Sequence, residues 1–321
     1  MPANTMKAII LENFGEIDRL KVGQVDKPLP GPDEVQIQIA YTAVNPVDWK
    51  IRRGMLQGRL PHDFPLILGW DAAGIVSALG KDVKKFKIGD PVFCYCRKPV
   101  IKWGTYAEYI CYPAEDVALK PHNLSFAQAA AFPLSGLTAW QALFDSAQLK
   151  KNETVLIHAG AGGVGSLAIQ FANYAGAHVL TTASQSNHAY VKKLGASAAI
   201  DYKAHSMVEE IKRLYPQGLD VVFDTVGGQT LKDSYQLLKP GGRIVSIVEP
   251  PNQAIAEQLK IKALYVFVSP NGKELQHIAH LIEAGKIHPI HIQEMPLEKA
   301  GDAQAKSEEG HVQGKIVLKV H

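Results

Sequence analysis

The chain has 321 residues, 46% of them hydrophobic and 20% charged, with a net charge of +3. At ~150 residues per domain this length predicts two globular domains, and the composition excludes disorder or a collagen-like repeat. The small net charge argues against nucleic acid or a membrane surface as partner. No apolar run reaches the ~18–20 residues of a membrane helix, and the first residues predict no secretory signal.

The first third reads as short strands. Residues 6–11, 72–78, 91–95 and 105–111 are β-like, and residues 34–41 (EVQIQIAY) alternate polar and apolar side chains as a half-buried strand does. Turn clusters such as Pro28-Leu29-Pro30-Gly31-Pro32 and Lys87-Ile88-Gly89-Asp90 separate them, which predicts a compact barrel-like domain. From about Ser125 the rhythm changes. Strands at 155–159, 179–183, 198–201, 220–224, 243–248 and 262–269 alternate with helical spacing, as in Val164, Leu167, Ala168, Phe171, Ala172 and Ala175. This βαβα order predicts an α/β fold with a doubly wound parallel sheet. From about His288 the chain returns to irregular and β-like sequence. The sheet domain, 126–270, therefore reads as an insertion into a β-rich domain made of 1–125 with 271–321. The run 262–269 is apolar and suits a sheet edge, where pairing with a second copy would make a homodimer. Three cysteines (Cys94, Cys96, Cys111) cannot make a disulfide framework; the odd count predicts a reducing, cytoplasmic setting, and Cys94 and Cys96 read as small apolar strand residues.

The most informative motif is Val155-Leu156-Ile157-His158-Ala159-Gly160-Ala161-Gly162-Gly163-Val164-Gly165. Gly160, Gly162 and Gly165 make G-x-G-x-x-G after a predicted strand and at the start of a predicted helix, the context that gives the pattern meaning. Glycines there allow a tight turn and bring the first-turn N–H groups of Gly163 and Val164 close to a pyrophosphate. An NAD site carries an acidic residue about 20 residues on, to hold the ribose 2′-hydroxyl. Between Gly165 and Asp201 there is none; the second strand runs into Thr182-Ala183-Ser184-Gln185-Ser186-Asn187. Hydroxyl and amide donors at Ser184 and Asn187, with Lys192 and Tyr202 as further donors, suit a 2′-phosphate, so the predicted cofactor is NADP(H). Ser184 also suits the cap of the following helix. Asp224-Thr225-Val226-Gly227-Gly228 closes a later strand, which places Val226 at the carboxyl edge where ligands bind in such sheets.

Taken in order, Val44-Asn45-Pro46-Val47-Asp48-Trp49-Lys50-Ile51-Arg52-Arg53-Gly54, Gly136-Leu137-Thr138-Ala139-Trp140, Gly160-x-x-Gly163-Val164-Gly165, Asp224–Gly228 and Gly314-Lys315-Ile316-Val317-Leu318 resemble the medium-chain dehydrogenase/reductase superfamily. The first of these is similar to the quinone oxidoreductase, zeta-crystallin-like branch. The resemblance implies a GroES-like β-rich domain built from both chain ends plus a Rossmann domain between them. It also implies contact between Thr138 and the nicotinamide ribose, and places Phe267 and Asn271 close to the cofactor mouth. Gln313 stands where quinone reductases often carry Arg, which leaves Lys315 as the basic candidate for cofactor binding at the C-terminus.

Zinc-dependent alcohol dehydrogenases share this architecture, and a catalytic zinc needs three ligands from Cys, His or carboxylate. The resemblance maps those positions onto Asn45, Trp70 (in Gly69-Trp70-Asp71) and Leu134, and the four-Cys lobe is absent, so no metal is expected. His277 and His280, one helical turn apart, read as surface residues. A metal-free site reduces an activated acceptor, a quinone or an α,β-unsaturated carbonyl, whose negative charge spreads onto a conjugated oxygen. The protein must hold the acceptor carbon ~3–3.5 Å from the hydride donor and aim a hydrogen-bond donor at that oxygen. Asn45, Tyr41 and Lys50 are the candidates for this work; Lys50 paired with Asp48 on the surface is the plainer reading of that residue. Tyr235 and Lys239 have the Tyr-x-x-x-Lys spacing of short-chain dehydrogenases, but Pro240 puts the pair in a turn. A nucleotide-binding sensor or scaffold without turnover stays open as the alternative.

Overall fold

The computed structural model of the protein describes residues 4–203 and 206–321. Its contacts gather into two units. One comprises Met1–Leu134, Pro270–Gly285 and Pro289–His321; the other comprises Ser135–Ser269 and Lys286–His288.

The first unit is organised around the strand Glu34–Ala43. Its alternation turns Val35, Ile37 and Ile39 inward, all fully buried. It pairs antiparallel with Asp71–Leu79 along its length, with Tyr109–Pro113 at its start and with Lys315–Lys319 at its end. Asp71–Leu79 continues the sheet to Pro91–Tyr95 and then Val117–Leu119. At the other edge Ile292–Pro296 runs parallel to Lys315–Lys319. A smaller sheet orders Leu20–Asp26, Thr5–Leu11 and Leu66–Ile67. The helix Pro46–Arg52 follows directly on the central strand. These are the elements of a GroES-like β-rich domain.

The second unit is a six-stranded sheet in the order Ala198–Ile200, His178–Thr182, Thr154–Ile157, Leu219–Asp224, Leu238–Ser246, Lys262–Tyr265, every pair parallel. The register explains its apolar strands. Leu180, Leu156, Val222, Ile244 and Ala263 form one cross-strand row. The next row, Thr181, Ile157, Phe223, Val245 and Leu264, points to the opposite face. Leu156, Leu180, Val222 and Ile244 pack with Ile211, Leu231 and Ala256 from three separate helices, and Ile157, Phe223 and Val245 are also fully buried, so both faces are covered. This is the Rossmann arrangement.

Several elements differ from the sequence reading. The expected strand 105–111 lies at Tyr109–Pro113, because Thr105 and Tyr106 donate their N–H groups to Gly69 and Leu68 instead. The expected strand 155–159 ends at Ile157; Ala159, at φ 48°, already turns the chain. The expected edge strand 262–269 stops at Tyr265, where its partner strand has run out at Ser246. The region after 270 contains the helices Gly272–Glu283 and Ala300–Glu308. Among the described residues no helix is long and apolar enough to cross a membrane.

Candidate functional site

In the parallel-sheet unit the candidate site lies at the carboxyl ends of the strands. Thr154–Ile157 and Leu219–Asp224 are neighbours here, and strand order reverses at this point. The three motif glycines do different work. A Cβ on Gly160 would stand 2.0 Å from Thr181 Oγ1, and one on Gly165 2.3 Å from Ala159 O, so these two glycines let the turn, strand and helix close on one another. A Cβ on Gly162 would meet only Ala159 O, at 3.4 Å, among the described residues. Internal packing does not require a glycine there, and the backbone at this position is open to approach. The helix Gly163–Tyr174 begins at this point with no acidic residue in its first turn and no capping side chain, which leaves its N–H groups and partial positive charge to an anion.

Beyond His178–Thr182, the Ser184 hydroxyl lies 3.2 Å from Ser186 Oγ and accepts from Asn187 Nδ2 at 3.1 Å. Ser184 sits at the cap position of a short 3-10 turn, yet its hydroxyl caps no backbone N–H, so the capping role weighed for it is not what its side chain does. Tyr202, Val226 and Phe267 are 48%, 48% and 44% exposed, while Thr138 is buried at 3% in the helix Pro133–Trp140. Lys192 is exposed on the helix His188–Lys193. Asn271 is instead a helix cap: its Oδ1 accepts from Lys273 N and Glu274 N.

Two buried groups that the sequence reading passed over hold this face. Asp224 accepts from Val226 N, Gly227 N and Ser246 Oγ, which shapes the turn carrying Val226. His158 bridges Thr182 Oγ1 and Ser234 Oγ at 3.2 and 2.8 Å. Burial drives its imidazole down to about 4, against a weaker upward pull from Asp224, so it is neutral at pH 7.

In the β-rich unit a polar cluster is buried at the start of the helix Pro46–Arg52. Asn45 donates from Nδ2 to Asp71 Oδ2 at 2.7 Å and from its backbone N–H to Asp48 Oδ2 at 2.8 Å. Tyr106 OH donates to the same Asp48 oxygen at 2.8 Å, and Leu134 N to Asp71 Oδ1 at 2.6 Å. Lys315 reaches in from the last strand, donating to Val44 O at 3.0 Å and to Asn45 Oδ1, with Asp71 Oδ2 at 3.7 Å. Burial raises Asp48 to about 7 despite its hydrogen bonds. Burial likewise raises Asp71 against the pull of Lys315, and lowers Lys315 against the pull of Asp71.

This geometry changes the roles expected of four residues. Asn45 is 1% exposed and its amide is engaged by a carboxylate and an ammonium, so it is a structural link rather than a substrate contact. Lys315 is likewise engaged inside its own unit, which removes the cofactor contact expected of it. Tyr41 points to another strand and donates to Glu294 Oε2 at 2.8 Å; burial, then Glu294, raises its pKa. Lys50 does not pair with Asp48, whose carboxylate turns inward to Tyr106. Its half-buried ammonium lies 5.6 Å from the Trp49 ring centroid, with no ion pair among the described residues, and desolvation lowers its pKa. Asp48 and Asp71 were also given no site role from the sequence; their signal is a carboxylate set directly against apolar strand and helix sequence.

Residues 31–122 match the alcohol dehydrogenase GroES-like domain family, and residues 194–318 the zinc-binding dehydrogenase family. A chloroplast envelope quinone oxidoreductase homologue of Arabidopsis thaliana is 34% identical over 306 residues, spanning 92% of this chain and 92% of the relative. The chloroplastic NADPH-dependent alkenal/one oxidoreductase of the same plant is 33% identical over 325 residues, 98% of this chain and 79% of its own. Among solved structures, the quinone oxidoreductase from Coxiella burnetii superimposes with a TM-score of 0.89 at 37% identity, covering 99% of this chain and 100% of that one.

Proposed function

Because the chain belongs to the medium-chain dehydrogenase/reductase superfamily, in its quinone oxidoreductase branch, and is an oxidoreductase, we propose that it uses NADPH to reduce a quinone or an α,β-unsaturated carbonyl without a metal ion. The observation that carries this reading is the Lys315 ammonium set against Asn45 and Asp71. The zinc implied by one family name does not fit the residues present. Trp70 and Leu134 offer no ligand atom at the corresponding positions, and the Asn45 carbonyl already faces a positive charge that repels a second cation. Among the described residues no three His, Cys, Asp or Glu side chains are grouped to hold a metal. The acceptor must therefore bring its own electron sink, as a quinone or conjugated carbonyl does.

NADPH fits the parallel-sheet unit. The open approach at Gly162 and the first-turn N–H groups after it suit a pyrophosphate, and Ser184 and Asn187 offer neutral donors, without a carboxylate, for a 2′-phosphate. Thr138, Gly163, Val164, Tyr202, Val226 and Phe267 complete the proposed cofactor contacts. When bound, the nicotinamide supplies the hydride. The chain's own contribution is a donor for the oxygen on which negative charge develops. Lys50 is that donor: its ammonium hydrogen-bonds the oxygen and passes it a proton, and water returns the proton to Lys50. Desolvation weakens its hold on that proton, which suits the transfer.

Mixing the protein with NADPH and, separately, a benzoquinone, an enone and a saturated ketone tests the reading. NADPH is consumed with the first two only, with or without a chelator. Equal reduction of the saturated ketone, or loss of activity to the chelator with recovery on adding zinc, overturns it. We further propose that the exposed edge strand Lys262–Tyr265 pairs two copies into a homodimer; a monomer mass by light scattering at micromolar protein refutes this.

A further inference from the structure

The helix Pro46–Arg52, which carries Lys50, has seven residues, far fewer than the ~12–15 at which an isolated helix becomes even marginally stable. Its position has to come from outside, and the C-terminal part of the chain supplies it at both ends. At its far end Arg52, fully buried, donates to Gln304 Oε1 at 2.8 Å, Gly15 O at 2.8 Å and Glu308 Oε2 at 3.1 Å. At its start Lys315 donates to Val44 O and Asn45 Oδ1, the last two residues before the helix, and pairs with Asp71. Asp48, in the first turn, accepts the Asn45 N–H and the Tyr106 hydroxyl.

We propose that Lys315 is a positioning residue for the reduction: its ammonium holds the start of this helix and thereby holds Lys50 in register with the acceptor oxygen. The inference rests on the reading of Lys50 given above. The ammonium is well suited to the task. It donates hydrogen bonds to Val44 O and Asn45 Oδ1 and adds an ion pair to Asp71 of a second segment, and no neutral side chain replaces all three interactions. Its charge also opposes the burial that raises Asp71, and Asp71 in turn holds the Asn45 amide with its carbonyl toward Lys315. A displacement of about 1 Å at a reacting group is enough to cost up to ~100-fold in rate.

Lys315→Met alone leaves Asp71 as an unpaired buried carboxylate and is expected to melt early, so the decisive variant is Lys315→Met with Asp71→Asn, which removes both charges. Asp71→Asn alone is the control. The expected result for the pair is a melting temperature near that of the parent, NADPH affinity within about twofold, kcat with a quinone or enone at least ~10-fold lower, and faster amide exchange across residues 47–52 but not across 163–174. Asp71→Asn alone lowers kcat less than the double variant does, because the lysine still holds Val44 and Asn45. Parental kcat in the double variant, or unchanged exchange across 47–52, overturns the proposal. Weakened NADPH binding with kcat intact overturns it too and returns Lys315 to the cofactor. If the parent protein itself reduces no acceptor, the reading of Lys50 fails separately, and the exchange measurement still decides whether Lys315 holds the helix.

Discussion

Gly162 and Gly165 stand three residues apart in one turn, and the structure predicts opposite consequences for adding a methyl group to each. At Gly165 the new Cβ would lie 2.3 Å from Ala159 O and 2.8 Å from Gly160 Cα. Both are backbone atoms that cannot rotate aside, so Gly165→Ala should destabilise by about 1–3 kcal/mol, the usual range for overpacking, or more. At roughly 2–4 °C per kcal/mol the melting temperature falls by several degrees. Gly162 has φ −77° and ψ 175°, which alanine adopts freely, and its Cβ would touch one atom at 3.4 Å. Gly162→Ala should therefore leave stability within about 1 kcal/mol of the parent, with the restricted unfolded chain offsetting the mild contact. The methyl group stands instead where the pyrophosphate must approach. Losing one charge-assisted hydrogen bond there costs about 1.5–3 kcal/mol, or roughly 10–150-fold in NADPH affinity. Thermal melting and a fluorescence titration with NADPH measure both quantities on each variant. Unchanged affinity in Gly162→Ala, or destabilisation of Gly162→Ala equal to that of Gly165→Ala, would refute the division of labour among the glycines.

Ser184→Asp places a carboxylate beside the proposed 2′-phosphate and should shift the kcat/KM ratio from NADPH toward NADH by at least ~10-fold, since like charges in contact cost several kcal/mol; an unchanged ratio counts against the phosphate position. Lys50 acts protonated and desolvation lowers its pKa, so kcat should fall with rising pH on a limb below the ~10.4 of free lysine. Lys50→Met should lose that limb and at least ~10-fold in rate; a retained limb assigns the proton to another group. His158 is held near 4 by burial against ~6.5 when unfolded, so the unfolded chain binds the proton first as pH falls. The His158 contribution to stability should be constant above about pH 6.5 and fall by about 3 kcal/mol on going down to pH 4, opposed over the same range by Asp48, whose raised carboxyl takes up its proton there. Urea unfolding of the parent and of His158→Gln across that range isolates the histidine's share as the difference between the two; a pH-independent difference refutes it.

The doubly wound sheet was legible because its information is local. A buried parallel strand is an apolar run, its helix follows at 3.6-residue spacing, and the glycine turn lies between them in sequence as in space. The same holds for the acid-free stretch that carries Ser184 and Asn187. The backbone places both residues just beyond the end of the strand His178–Thr182. Strand limits were less legible, because a strand such as Lys262–Tyr265 ends where its partner ends rather than where its own apolar residues do.

The polar cluster belonged to the tertiary structure alone. Nothing in Gly314-Lys315-Ile316 states that its ammonium meets Asn45, 270 residues earlier, and a basic residue near a chain end reads naturally as a ligand for phosphate. Only antiparallel pairing of Lys315–Lys319 with the end of Glu34–Ala43 brings the two together. Burial then decides what each group does: in water Asp48, Asp71 and Lys315 are independent ions, but out of water each needs the others as partners. For the same reason Lys50, close in sequence to Asp48, lost the partner that spacing offered it once that carboxylate turned inward.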